Sequence, residues 1–374
     1  MTLTEAFVSL EDPRTGPAQR HDLAEMILMA LCAVLCGADS WVDCAEWAED
    51  NAAWLKRYLV LEHGTPSHDT FGRVFRLLDA KVFEGCFREW IAGLIGVVTG
   101  VVAIDGKTAC GSRDGHNTAL HTISAYATAS GLCLAQEHTR GKGNEIPAIK
   151  ALLDTLTLKG CIVTIDAIGC QTEIAQKILD RGGDYLLTVK DNQATLANAP
   201  REFFADGETA GFGTLPVSRS QTVEKNHGRI ETRQALWVTD LSWLDQELRQ
   251  HWPKLAGVGM IERQREINGT VSMERAFYIG SKGITTAESF TKAARSHRGI
   301  ENSPHWVLNV TFREDDCRVR KDHAPHNFAA LRKFAIALLR QDTQYPKRSL
   351  RSRRKTAERL PDYRASLLGL VTRT

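Results

Sequence analysis

Val101-Val-Ala-Ile-Asp-Gly-Lys107 and Cys161-Ile-Val-Thr-Ile-Asp166 decide how this chain folds. Each is a short apolar run, rich in β-branched residues, that closes on a carboxylate. Both runs are too short for helices and stop at glycine-containing segments, so both predict buried strands. A buried strand that ends this way presents its acid at the edge of a sheet. Gly106 is expected to turn the chain sharply just beyond Asp105. Asp105 and Asp166 are thus two acids in equivalent settings.

Around these runs the pattern is β-β-β-α-β-α-β. Residues 121–128 and 132–138 form a hairpin across Ala-Ser-Gly131. Helices are expected over 145–156 and 171–181, and a further strand over 185–190. A hairpin followed by βαβ units predicts a mixed α/β sheet with helices on both faces, its first and fourth strands side by side. Asp105 and Asp166, 61 residues apart in sequence, then meet. Strand order and acid placement together resemble the ribonuclease-H-like architecture.

Residues 196–285 break the pattern. Segments 222–225, 231–238, 257–266 and 271–279 read as short strands, with Asn226-His-Gly228 and Asn268-Gly269 as turns. They predict an inserted antiparallel β unit. A long helix is expected from 286 to about 308, and another over 323–340. The N-terminal part reads as helical. Asp22 caps a helix over 23–36 that Gly37 ends, and a second helix covers 41–59. A third opens at Pro66-Ser67 with an apolar stripe of Val74, Leu77, Leu78, Val82 and Phe83. The expected division is a helical domain over 1–95, a catalytic core over 96–195, an inserted β subdomain over 196–285, C-terminal core helices over 286–340 and a basic tail over 341–374.

With 374 residues, 43% hydrophobic and 25% charged, the chain has the make-up of a soluble globular protein of two or three units. The most apolar run, 26–38, is too short to span a bilayer, and no signal peptide is expected. Nine cysteines without C-x-x-C spacing fit small buried hydrophobes in a reducing, cytoplasmic setting. Between Arg340 and Arg364 nine Lys or Arg face three acids, which suits nucleic acid or a solvated chain end. Arg73 and Arg76 on the third helix are candidates for DNA phosphates, or plain surface residues.

Two carboxylates on adjacent strand ends do not both ionise cheaply without a cation. An all-oxygen donor set suits Mg2+ or Mn2+. Two such ions about 3.5–4 Å apart activate an attacking oxygen and stabilise the leaving one, the chemistry of phosphoryl transfer on a nucleic-acid backbone. A third carboxylate is needed. The best candidate is Glu301, with Arg298, Asn302 and His305 at i−3, i+1 and i+4 on the same helix. Glu145, Glu231, Glu274 and Glu314 compete for that role on chemistry alone. Lys107, Lys190, Arg295 and Arg298 are candidates for phosphate contact, with Asn302 and His305 beside them. The plainer alternatives are a turn or cap role for each Asp and a surface ion pair for each cation.

Several motifs occur in order: Phe7-Val-Ser-Leu-Glu-Asp-Pro-Arg14, Pro66-Ser-His-Asp-Thr70, Ala103-Ile-Asp-Gly-Lys107, Gly143-Asn-Glu-Ile146, Gly182-Gly-Asp-Tyr185, Lys190-Asp-Asn-Gln193, His227-Gly-Arg-Ile-Glu-Thr-Arg233 and Gly299-Ile-Glu-Asn302. Together they resemble the H-repeat-associated, ISAs-type transposases of bacterial insertion sequences, part of the insertion-sequence-four superfamily of DDE enzymes. The likeness spans nearly the whole chain. It implies a ribonuclease-H-like core with a β insertion and a metal-binding catalytic triad that maps onto Asp105, Asp166 and Glu301. It further implies Mg2+ or Mn2+ as cofactor, double-stranded DNA (terminal inverted repeats and target) as partner, and a homodimer when two ends are synapsed. The implied activity is cleavage at element ends followed by strand transfer. The alternatives are a nuclease without strand transfer and a transposase-derived DNA-binding protein impaired in catalysis. The chain departs from the family at Arg298, Pro304, Asn309 and Arg359, where Trp, Leu, Asp and Trp are common. His297 likewise replaces the Arg of the superfamily's Tyr-x-x-Arg-x-x-x-Glu pattern. Pro304 falls inside the expected helix, three residues past Glu301, where a proline removes a hydrogen bond and clashes with the preceding turn, at about 3 kcal/mol.

Overall fold

A computed structural model describes residues 2–3, 5–113, 118–139, 142–226 and 229–372. His227 and Gly228 of the expected Asn226-His-Gly228 turn lie outside the described residues.

Strand β1 (Gly100–Ala109) has a partner on each side. It pairs antiparallel with β2 (Leu120–Ala127), which pairs antiparallel with β3 (Leu132–Thr139). On its other edge β1 pairs in parallel with β4 (Cys161–Ile165), and β4 with β5 (Asp184–Val189). Ile104 lies opposite Ile165, so the next residue on each strand is one of the two acids, Asp105 and Asp166.

The chain does not turn at Gly106. β1 runs on to Ala109, paired with β2 throughout. Glycine answers a different need there, because a Cβ would sit 2.8 Å from His121 Nε2 and 3.0 Å from Ile123 Cδ1.

Four more strands follow: β6 (Val217–Asn226), β7 (Arg229–Val238), β8 (Gly257–Ile267) and β9 (Thr270–Gly280). They are antiparallel, and β9 returns to pair with β5, Leu187 opposite Ile279. One nine-stranded sheet results, ordered β3-β2-β1-β4-β5-β9-β8-β7-β6. The inserted strands therefore extend the main sheet. Asn268 and Gly269 take φ of 50° and 78°, the left-handed pair that a two-residue hairpin turn requires.

Among the helices, α1 (Leu23–Cys36) starts at Asp22, whose carboxylate accepts from the Glu25 N–H, and stops at Gly37, φ 128°. The expected second helix divides at Asn51 into α2 (Trp41–Asp50) and α3 (Ala52–Leu55). The expected third helix also divides, into α4 (His68–Leu77) and α5 (Ala80–Ile95). Leu78 is extended between them, and the Asp79 carboxylate accepts from the N–H groups of Lys81 and Val82. The continuous stripe is thereby broken. Val74, Leu78 and Phe83 are buried, whereas Leu77 and Val82 are exposed.

Helices α6 (Glu145–Asp154) and α7 (Thr172–Asp180) cover β2, β3 and β5. Helix α8 (Ala194–Ala210) was not expected, since Pro200 and Gly207 interrupt its sequence. It is held by Phe204 against Phe277 of β9, ring centroids 6.3 Å apart. After α9 (Gln246–His251), α10 (Ala287–Ile300) lies across β1, β4, β5, β6 and β7, with Phe290 packed on Trp237 and Tyr278. Helices therefore flank a mixed sheet on both faces, the ribonuclease-H-like arrangement, next to an N-terminal helical region.

Helix α11 (Ala324–Gln341) packs on α1, α4, α5 and β3. The basic C-terminal segment is not a solvated tail. It forms α12 (Leu350–Arg359) and α13 (Pro361–Leu368), and Arg353, Arg354 and Arg364 are buried. Arg354 donates to the Val34 carbonyl at the end of α1 (Nη2–O 2.8 Å) and lies 4.3 Å over the Phe312 ring. Arg364 donates to Asn51 Oδ1 at 3.0 Å and lies 4.0 Å over the Trp54 ring. Cations at helix ends satisfy carbonyls that have no intrahelical partner. Arg76 likewise pairs inside the chain, with Asp322 at 2.8 Å. All nine cysteines are free thiols and eight are buried. No single helix among the described residues is long and apolar enough to cross a membrane.

Candidate active site

Asp105 and Asp166 line one cleft of about 830 Å³ at the ends of β1 and β4. Their strands are direct neighbours, so their backbones lie about one strand spacing, ~4.8 Å, apart. Asp105 is half-buried, and its Oδ1 accepts from the Gly106 N–H at 2.8 Å, which fixes the carboxylate. Asp166 is exposed to the cleft.

Helix α10 brings His297 and Arg298 to the same cleft. The His297 ring meets Thr164 Oγ1 at 3.1 Å, which ties the helix to β4. The expected single helix to residue 308 ends instead at Ile300. The chain continues in two π-helical turns, Glu301–His305 and Val307–Thr311. Pro304 lies within the first. The wider π turn accommodates its missing N–H and its ring. Glu301 and Asn302 lie on this turn, and their side chains are outside the described residues.

His305, at the end of the turn, puts Nδ1 3.8 Å from Asp105 Oδ2. Burial, reinforced by the Lys107 charge, pushes its pKa down to about 4. Its ring is therefore neutral at pH 7 and does not offset the Asp105 charge.

Lys107 does not reach the cleft as a phosphate ligand. Its Nζ sits 2.9 Å from Glu314 Oε2 and 3.0 Å from Asp315 Oδ1, with 11% of the side chain exposed. Burial works against the Lys107 charge, but these two carboxylates raise its pKa above the ordinary value. Glu314 is thus occupied. Of the other acids that competed for the third position, Glu145 lies 3.1 Å from His121 Nε2, and Glu231 is buried among arginines. Glu274 lines the cleft but pairs with Arg263 at 3.1 Å.

Lys190 and Arg298 line the cleft, whereas Arg295 faces the β insertion and pairs with Glu224 at 2.5 Å. Arg201, Arg263 and Arg275 also line the cleft and were not singled out from sequence. For the strand arginines the available signal was the two-residue spacing of Arg263 and Arg265, which puts them on one strand face but does not say which way it looks.

Two oxygen-donor carboxylates at adjacent strand ends, beside a neutral His305, suit a hard divalent cation. Among the described residues no three His, Cys, Asp or Glu side chains converge to hold a metal ion.

Comparison with known proteins gives the class. The model of the transposase DDE domain matches residues 70–339, and the model of the DDE-transposase-associated segment matches residues 4–91. The chain belongs to the DDE transposase family, in its H-repeat-associated group. It is 36% identical over 375 residues to the H repeat-associated putative transposase YhhI of Escherichia coli K12, covering 98% of this chain and 97% of that protein. It is 42% identical over 280 residues to an uncharacterized protein in the dhlA 3′ region of Xanthobacter autotrophicus, covering 74% of this chain and 92% of that protein. A fainter likeness, TM-score 0.41 and 11% identity over 98% of this chain and 76% of the other, is to a cryo-EM structure of a piggyBac transposase synaptic complex with hairpin DNA.

Proposed function

We propose that this protein is an active transposase that cuts DNA at the ends of its element and joins the freed 3′ ends to target DNA. The observation that carries the reading is the parallel register of Ile104 with Ile165, which sets Asp105 and Asp166 at adjacent strand ends on one cleft rimmed by cations. Asp105, Asp166 and Glu301 would hold the catalytic metal. Mg2+ or Mn2+, as two ions, would supply Lewis-acid activation of the attacking and leaving oxygens when bound.

The chain's own residues do the rest. The Gly106 N–H holds Asp105 in one rotamer, and burial keeps His305 uncharged beside it, so the negative field of the two acids faces the cleft. Lys190 and Arg298 bind phosphates on either side of the scissile bond, with Asn302 beside them. In this reading residues 1–95 bind the terminal repeats, residues 96–195 and 286–340 carry the catalysis, and two copies act together on paired ends. The protein works in the bacterial cytoplasm.

The test is incubation of the purified protein with labelled element ends, Mn2+ and target DNA. Wild type is expected to cleave and join, Asp166→Ala to do neither. Cleavage without joining would make the protein a nuclease. Absence of metal-dependent cleavage, or unchanged activity in Asp166→Ala, would overturn the catalytic reading.

A further inference from the structure

Beside the cleft lies a second concavity of about 420 Å³, between the β7–β8 surface and α10. Its walls carry Arg229 and Arg233 from β7, Arg263 and Arg265 from β8, and Arg295 and Arg298 from α10. The strand register makes this face expensive to build. Arg233 stands directly opposite Arg263, and like charges directly opposite destabilise a sheet.

One buried carboxylate offsets them. Glu231, only 5% exposed, puts Oε1 2.5 Å from Arg233 and 3.3 Å from Arg263, with Oε2 3.6 Å from Arg229. Two further acids stand at the rim: Glu224 pairs with Arg233 and Arg295, and Glu274 with Arg263. These three carboxylates meet four guanidiniums, those of Arg229, Arg233, Arg263 and Arg295, and Arg265 adds a further positive charge. Among the described residues Arg265 has no ion pair, and its Nε is buried without an acceptor. A buried donor in that state calls for a partner, and an ordered water or an anion supplies one. The concavity shares Arg263, Tyr278, Ala294 and Arg298 with the Asp105–Asp166 cleft, so the two are continuous.

We propose that this groove holds the sugar–phosphate backbone of the DNA strand as it leaves the cleft, and that Glu231 is the positioning residue that sets its arginines. The proposal rests on the DNA reading above. Guanidinium forks match phosphate oxygens in pairs of hydrogen bonds, and an arginine already held in place loses less freedom on binding. The groove is lined by donors with few apolar groups, which suits a backbone rather than an extruded base.

The test is the salt dependence of duplex binding by the full chain, followed by fluorescence anisotropy between about 50 and 200 mM salt. Each lost phosphate contact lowers the slope of log K against log salt by about one, and affinity at physiological salt by about fivefold. Arg265→Ala and Arg229→Ala are each expected to do this, while Arg351→Ala, on the exposed surface of α12, keeps the wild-type slope. Glu231→Gln adds one positive charge to the groove. Attraction by net charge alone would therefore tighten binding, whereas loss of positioning weakens it and flattens the slope. Thermal unfolding is run alongside, and if Glu231→Gln fails to fold the two arginine variants carry the test. Wild-type slopes in both arginine variants, or tighter binding by Glu231→Gln, would overturn the groove. A cleaving enzyme with those slopes overturns the groove alone. A protein that never cleaves, but loses slope in Arg265→Ala, overturns the catalytic reading and supports the groove.

Discussion

Lys107→Met separates a structural role from a DNA-binding one. Lys107 Nζ and Glu314 Oε2 are 2.9 Å apart, with 11% and 7% of their side chains exposed. At an effective dielectric of about 20 the gross attraction is roughly 6 kcal/mol, much of it offset by desolvation of both ions. Removing one partner of such a pair costs about 3–5 kcal/mol, because the other charge stays buried. Glu314 is held below its ordinary pKa against burial, by Lys107 first and then by Arg332. Arg332 survives the substitution, so the lower figure, about 3 kcal/mol, is expected. Unfolding entropy of about 2.1 cal/mol/K per residue over the whole chain gives roughly 0.8 kcal/mol/K, hence a fall in Tm of about 4 °C. Lys107→Met with Glu314→Leu should recover most of this, since an apolar pair of similar volume replaces the ions well. Denaturant and thermal unfolding of both singles and the double form the cycle. A single-variant loss under about 1 kcal/mol, or strict additivity, refutes the buried-pair account. A drop in the salt slope of DNA binding with unchanged stability would return Lys107 to the role of a phosphate ligand.

Three further outcomes follow from the same geometry. Gly106→Ala drives a Cβ against the His121 ring at 2.8 Å and is expected to cost about 1–3 kcal/mol in chemical denaturation, with DNA cleavage falling as the end of β1 shifts. Arg354→Ala strips donors from the Val34 and Thr311 carbonyls, an expected loss of about 2–4 kcal/mol that lysine restores only in part, as measured by Tm. Burial pushes the His326 pKa down to about 4, below its unfolded value. The unfolded chain then binds the extra proton between these values, so stability is full above about pH 6.5 and is lost as pH falls toward 4, by about 3 kcal/mol. His326→Gln should flatten that window in denaturation curves. Part of the slope remains with His138, whose ring lies 4.4 Å away and whose pKa is lowered in the same way.

What the sequence disclosed was mainly local or periodic. Asp22 and Gly37 bound α1 as their side-chain chemistry requires, and Asn268-Gly269 makes the turn that its left-handed φ values allow. The strands around the cleft followed from apolar runs, and the neighbouring of β1 and β4 followed from their order. The misses share one cause, a partner far away in sequence. Leu78 leaves the helix because Asp79 caps a new one and Asn327 of α11 donates to the Phe75 and Leu78 carbonyls. Helix α8 tolerates Pro200 and Gly207 because β9 supplies a wall for Phe204. Basic residues at 353, 354 and 364 looked solvated because nothing nearby in sequence marks the carbonyls and rings they meet. The meeting of Asp105 and Asp166 at neighbouring strand ends was legible, and the arginine-lined strands were not, since residue spacing along a strand does not say which face looks at the cleft.

Helix α1 also sets a timetable. From Met26 to Leu35 no side chain is more than 4% exposed, so the helix is apolar on every side and has no face made for water. Its coat includes α11 and α12, and α11 begins 288 residues after α1 ends. At roughly 5–20 residues per second, a ribosome leaves α1 without that cover for about 15–60 s. During that interval the nascent chain carries a sticky apolar rod whose cover is completed only by helices from residue 324 onward. Premature termination before α11 should therefore yield not a smaller working protein but an aggregate or a chaperone client.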